Sequence, residues 1–151
     1  MLNWFSQSPQ SDSVVITGAS TGIGAACALT LDKLGYRVFA GVRHPADGER
    51  LQQQAGPRLM PIRLDVTDAA SISAASHTVG AMVGERGLAG LVNNAGIGVA
   101  GPIELLPLAD WRRQFEVNVF GLIAVTQTFL PLIRTGRGRI INMGSIAGRA
   151  S

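Results

Sequence analysis

The segment Thr17-Gly-Ala-Ser-Thr-Gly-Ile-Gly24 follows directly on the apolar run Val14-Val15-Ile16. A short apolar run of this kind reads as a buried strand and the pattern after Gly22 as a helix, so the glycines fall at the exit of one and the entrance of the other. Glycine there lets backbone N–H groups approach an anion closely, and the helix N-terminus adds the positive end of its dipole. The combination makes a pyrophosphate cradle. The spacing, Gly18-x-x-x-Gly22-x-Gly24, differs from the Gly-x-Gly-x-x-Gly of the usual dinucleotide turn, so the loop is longer before the helix begins. A glycine-rich turn with no ligand is the alternative that this segment alone leaves open.

A chain of 151 residues is long enough for one domain with a substantial core. With 46% apolar residues, 15% charged and 19 glycines, it suits an α/β protein with close helix–sheet contacts. The single cysteine, Cys27, excludes an internal disulfide framework and lies on an expected apolar stripe, Ile23, Cys27, Leu31 and Leu34, of the first helix. Residues 1–12 read as a loose tail without the pattern of a secretory signal, and the longest near-apolar stretch, Leu122 to Ile133, is too short to span a bilayer. The expectation is a cytoplasmic protein that binds no membrane. The net charge of +3 comes with arginines scattered over several elements and no interleaved aromatics, which argues for a solvated surface and against nucleic acid.

From Ser13 onward, apolar runs alternate with helical patterns, the signature of βαβ units on a parallel sheet. Strands are expected near 13–17, 36–42, 58–64, 88–93 and 138–144, with helices near 22–34, 47–55, 68–84 and a longer helical region from about 107 to 135. The third helix shows a buried face in Ile72, Ala75, Val79 and either Met82 or Val83, with Thr67 or Asp68 as its cap. Gly35 should close the first helix, Pro131 should end or bend the last, and Trp111 should join its helix's apolar face. Right-handed crossovers then give a Rossmann-type, doubly wound sheet over residues 13–151 in the order 3-2-1-4-5. Ligands would bind at the carboxyl edge between the first and fourth strands.

The ordered set Thr17 to Gly24, Asp65-Val66, Asn93-Asn-Ala-Gly96, Asn118 within a helical pattern and Ser145 after a strand resembles the classical short-chain dehydrogenase/reductase family. The resemblance runs through residues 13–151. It implies an oxidoreductase that moves a hydride between a nicotinamide and an alcohol or ketone, with Gly18, Ser20, Thr21, Gly22, Ile23 and Gly24 around the cofactor pyrophosphate. Homo-oligomers are also implied for the full-length form. At the end of the second strand, where NAD-selective relatives carry an acidic residue, stand Val42 and Arg43. A guanidinium there can pair with a ribose 2′-phosphate, which favours NADP(H) over NAD(H).

The same resemblance implies that Asp65 accepts from the adenine amino group while the Val66 amide meets the ring. Asn93, Ala95 and Gly96 would lie against the ribose, although asparagine amides at this point can equally tie neighbouring strands together. Asn118 corresponds to the family's catalytic asparagine, holding a water in a proton relay; a satisfied packing amide is the alternative for a helical asparagine. Ser145 matches the serine whose hydroxyl binds the substrate oxygen. His44 and His77 have no metal-ligand spacing and fit surface or loop positions.

The family's Tyr-x-x-x-Lys pair, expected beyond the serine, does not occur within the 151 residues, and the lone tyrosine, Tyr36, begins the second strand. The resemblance implies that the tyrosine of that pair, and not Tyr36, is the proton donor to the carbonyl, a role worth about 10²–10⁴-fold in rate. The sequence therefore reads as the N-terminal part of an NADP(H)-dependent oxidoreductase, with negligible turnover expected of this portion alone. A non-catalytic NADP(H)-binding module or sensor is the rival reading. A nucleotide-cofactor transferase on the same fold is a more distant one. The last strand, without further neighbours, should present an apolar edge that recruits other chains.

Overall fold

The computed structural model describes residues 12–145; the expected N-terminal tail lies outside them except for Asp12. Strands β1 (Ser13–Ile16), β2 (Arg37–Val42), β3 (Leu59–Arg63), β4 (Gly90–Asn93) and β5 (Arg139–Asn142) form one parallel sheet in the order β3-β2-β1-β4-β5. This is the Rossmann-type order expected from the sequence. Val15 registers with Phe39 on one side and Leu91 on the other, so the most apolar strands occupy the middle.

Alternation along β1 explains the two helical layers. Val15 points to one face of the sheet, where it joins Phe39, Ile62 and Leu91 beneath helices α3 (Ala69–Val83) and α5 (Leu122–Thr135). Val14 and Ile16 point to the other, joining Val38, Ala40 and Val92 under α1 (Gly22–Lys33) and α2 (Pro45–Gln52). Buried strands of a doubly covered parallel sheet need apolar residues at successive positions, and β1 supplies them. In α3 the buried face is Ile72, Ala75, Val79 and Val83, so Val83 and not Met82 completes the stripe. Asp68 caps that helix, its carboxylate accepting from the amides of Ala70 and Ser71. Gly35, at φ +94, follows the C-cap of α1 as expected.

Several elements depart from expectation. In α1 the buried residues are Gly24, Ala28 and Asp32; of the expected stripe, Cys27 and Leu31 pack partly buried against the core, while Ile23 and Leu34 are 68% and 58% exposed. Small residues face the sheet because the helix lies close to it, and Asp32 accepts from the Gly56 amide at 2.6 Å to tie down the turn before β3. Helix α2 starts at Pro45, a residue pre-set for the first helical position, and ends at Gln52, short of the expected 55.

The long helical region is three pieces in one stretch: α4 (Leu108–Phe115), a π turn (Glu116–Gly121) and α5. Pro131 does not end α5, which continues to Thr135 with Phe129 and Ile133 buried on either side of it. Trp111 is only half-buried, on a helix with no buried residue. Joined together, Leu108–Thr135 is long and apolar enough to cross a bilayer, contrary to the expectation drawn from Leu122 to Ile133 alone. Val125, Phe129 and Ile133 of this stretch are buried in the core, while Leu108, Phe115, Phe120 and Ile123 are exposed.

Candidate functional site

The carboxyl ends of β1, β2, β3 and β4 open into a cleft of about 660 Å³. Gly18, Ser20, Thr21, Ile23 and Gly24 line one wall, Arg43 and Asp65 to Thr67 another, and Ala95 to Ile97 a third. Of the residues expected to bind cofactor, Gly18, Ser20, Thr21, Ile23, Gly24, Arg43, Asp65, Val66, Ala95 and Gly96 all border this space. Gly22 does not; at φ +59 it turns the chain into α1. Asn93 is also away from the wall, buried, with its amide donating to Thr126 Oγ1 and Asn142 Oδ1 at 2.9 Å each. Of its two readings, the geometry matches the strand-tying one, joining β4 to β5 and α5.

The glycine turn is built for close approach. Gly18 adopts φ +65, and a Cβ on it would stand 2.7 Å from the Ala95 Cα. A Cβ on Gly24 would stand 2.3 Å from the Gly18 carbonyl oxygen and 2.4 Å from Asn94 Nδ2. No side chain larger than hydrogen fits. The N-cap of α1, Thr21, makes no side-chain cap bond, so its hydroxyl does not satisfy the first-turn amides at this end of the cleft. An anion placed there meets uncapped N–H groups and the positive end of a 12-residue helix.

Two residues outside the expected cofactor-binding set, Thr17 and Asn94, hold this turn in place. Thr17 is buried, and its hydroxyl accepts from the amides of Asn94 at 3.0 Å and Ala95 at 2.9 Å while donating to the Val92 carbonyl. Asn94 returns its side-chain amide to the carbonyls of Thr17 and Gly18, both at 3.0 Å. The signal for both is present in the sequence, since Thr17 opens the glycine motif and Asn94 is the second residue of Asn93-Asn-Ala-Gly96. Their role in locking β1 to β4 needs the pairing across the sheet to become visible.

Val42 is 4% exposed at the end of β2 and Arg43 follows it in the open. Asp65 sits opposite, one carboxylate oxygen accepting from Thr67 N at 2.9 Å and Thr67 Oγ1 at 2.8 Å. Partial burial pushes its pKa up, but these hydrogen bonds and the positive charges of Arg43 and Arg63 outweigh that and hold it below the usual carboxylate value. The cleft therefore carries an ionised acid beside a cation at its β2–β3 end.

Asn118 lies in the π turn, where its side chain accepts from Ile97 N at 2.9 Å and donates to Ile97 O at 2.8 Å. Insertions of this type collect at functional sites because they shift the helical hydrogen-bond register by one residue. Ser145 lies three residues beyond the end of β5, exposed, and is not among the cleft-lining residues. Arg113 and Val117, one turn apart on the stretch leading into and through the π turn, also line the cleft. Tyr36 is away from it, partly buried against the α1 side of the core.

The family model described as short chain dehydrogenase matches residues 12–151. The chain is 46% identical over 137 residues to dehydrogenase/reductase SDR family member 9 of Bos taurus, covering 90% of this chain and 43% of that one. It is 44% identical over 143 residues to retinol dehydrogenase 5 of Mus musculus, covering 93% and 45%. Among solved structures, serine dehydrogenase from Escherichia coli superposes with a TM-score of 0.84 at 30% identity, over 92% of this chain and 64% of that one. A 7α-hydroxysteroid dehydrogenase complexed with NADH and 7-oxo glycochenodeoxycholic acid gives a TM-score of 0.84 at 29% identity, over 95% and 56%. The chain spans less than half the length of these two curated relatives. With the sheet order, the glycine turn and the match over residues 12–151 in agreement, the chain belongs to the short-chain dehydrogenase family.

Proposed function

We propose that the cleft binds a nicotinamide dinucleotide, the 2′-phosphorylated form in preference to the other, and serves an oxidoreductase acting on an alcohol or carbonyl compound. The carrying observation is the cleft wall formed by Gly18, Ser20, Thr21, Ile23 and Gly24 at the uncapped start of α1, a turn that Gly18 and Gly24 let pack tightly onto the Asn94–Ala95 backbone. The residues fit the group: amides for a pyrophosphate, Asp65 and Val66 for an adenine, Ala95 and Gly96 for a ribose. When bound, the nicotinamide supplies or accepts the hydride.

Preference for the phosphorylated form rests on Val42 and Arg43. No carboxylate stands at the end of β2 to repel a phosphate, and the guanidinium offers charge-assisted hydrogen bonds worth about 1.5–3 kcal/mol. Isothermal titration with NADPH and NADH tests both parts. Tighter binding of NADPH supports them, equal or reversed affinity removes the preference, and no heat with either removes the reading.

In the complete enzyme Ser145 orients the substrate oxygen, and the segment around Asn118 holds a relay water. Ile97 takes one bond from each polar end of the Asn118 amide, which leaves one N–H and one oxygen lone pair, beside the π-turn backbone, for that water. Names of relatives such as retinol dehydrogenase suggest an apolar alcohol, a retinoid or steroid, as the substrate class. The cleft is lined by no tyrosine, lysine or histidine among the described residues. That observation favours cofactor binding without turnover for these 151 residues, a binding-module behaviour that an NADPH-consumption assay beside the titration would test.

A further inference from the structure

We infer that Arg113 is a second coenzyme-recognising guanidinium, lying flat against the adenine from the helical wall of the cleft. The inference rests on the dinucleotide reading above and extends it to a residue with no assigned role. The helical stretch crosses the end of β3 at Gly121, where a Cβ would stand 2.8 Å from the Val66 carbonyl oxygen and 2.9 Å from Val66 Cγ2. That contact fixes the stretch against the segment after β3 that carries Asp65 and Val66. Val117, four residues earlier, packs on the core and borders the cleft, and Arg113, a further four back, reaches its rim.

Arg113 thus shares the cleft with Val66, Thr67 and Val117, across from the glycine turn that supplies the anion site. A planar cation beside Val66 and Val117, on a wall that also carries the Asp65 carboxylate for the adenine amino group, suits the face of an aromatic base better than a phosphate already served by backbone amides. Its division of labour with Arg43 follows. Arg43, at the end of β2, reads whether the ribose is phosphorylated, while Arg113 reads a base common to both coenzymes.

The test titrates the chain and its variants with NADPH, NADH and ADP, checking far-UV circular dichroism for each. Arg113→Leu is expected to weaken all three by a similar factor, about 3- to 30-fold, whereas Arg43→Leu weakens NADPH alone. Arg113→Lys, which keeps the charge and loses the plane, is expected to recover only part of the loss. Unchanged affinity in Arg113→Leu, a loss confined to NADPH, or full recovery with lysine each overturns the inference while leaving the dinucleotide site standing. Wild-type chain that binds neither coenzyme overturns the site itself, and the role of Arg113 with it.

Discussion

Asn118 and Ile97 exchange two hydrogen bonds, the Ile97 amide donating to Asn118 Oδ1 at 2.9 Å and Asn118 Nδ2 donating to the Ile97 carbonyl at 2.8 Å. The pairing joins the π turn to the loop that leaves β4. An asparagine matches a peptide group because its side chain carries one donor and one acceptor side by side. Asn118→Leu removes both partners and leaves two backbone groups to find others, a loss of about 2–4 kcal/mol where they stay dry. Asn118→Asp retains the acceptor but sets an anionic oxygen against the Ile97 carbonyl. Urea unfolding should rank wild type above both variants, and amide exchange at Ile97 should speed up in each. Equal stability of Asn118→Leu would remove the clamp as a structural element.

Glycines in the turn are separable by what surrounds them. Gly24→Ala forces a methyl within 2.4 Å of Asn94 Nδ2 and the Gly18 oxygen, so the turn must open and the Asn94 bonds to Thr17 and Gly18 loosen. Overpacking of this kind costs about 1–3 kcal/mol, and coenzyme affinity should fall with it. Gly22→Ala meets no atom within 4 Å, so only its positive φ opposes the change, at about 1–2 kcal/mol. Paired thermal melts and NADPH titrations should show affinity falling much further in the first variant than in the second.

These residues show what a sequence discloses and what it hides. The sheet order and the glycine turn were legible because each leaves a local pattern, apolar runs at regular intervals and glycines between a strand and a helix. The buried face of α1 was not, since Gly24, Ala28 and Asp32 carry little apolar signal and are buried by the helix's closeness to the sheet. The sequence leaves Asn93 between the cleft and a strand tie, because the partners that decide it, Thr126 and Asn142, are 33 and 49 residues away. The π turn has no compositional marker. Arg113 could have been found from its spacing to Val117 and Asn118, but only once that stretch was known to cross the end of β3.

Arg43 should govern coenzyme choice. Arg43→Leu removes the exposed cation after β2 that the proposal pairs with the 2′-phosphate, and should lower NADPH affinity by about 10- to 100-fold, the span of one or two charge-assisted hydrogen bonds, with NADH little changed. Val42→Asp with Arg43→Leu adds a carboxylate that repels the phosphate and should reverse the preference. Raising salt should weaken NADPH binding to wild type more than to Arg43→Leu, because this exposed charge is screened. NADPH and NADH affinities that change in parallel would place the selectivity elsewhere.

Asp65 links the cleft to pH. Its pKa lies below the ordinary carboxylate value because the Thr67 bonds and the positive charges of Arg43 and Arg63 outweigh partial burial. A depressed folded-state pKa contributes stability above the unfolded value of about 3.9 and loses it as pH falls through the folded one. Adenine recognition by the carboxylate should fade over the same acid window and stay constant through neutrality. Thr67→Val deletes the hydroxyl donor and should move the Asp65 titration upward, read from its side-chain carboxyl carbon by NMR. An unmoved or lowered value would show that the hydroxyl contributes nothing to holding the charge.

The sheet's β5 edge carries the last expectation. Strand β5 pairs with β4 on one side and with no strand on the other among the described residues, and all four of its residues are exposed. Ile141 is 52% exposed and Met143 43%, and Phe120 on the π turn is 57% exposed. Unpaired backbone flanked by apolar side chains is a template for another strand. These 151 residues should therefore self-associate with rising concentration in sedimentation velocity. Ile141→Lys places a charge on the open edge and should shift the distribution toward monomer without lowering the melting temperature, because the position is outside both cores. A wild-type chain that sediments as a single monomer at high concentration would mean that this edge is already protected.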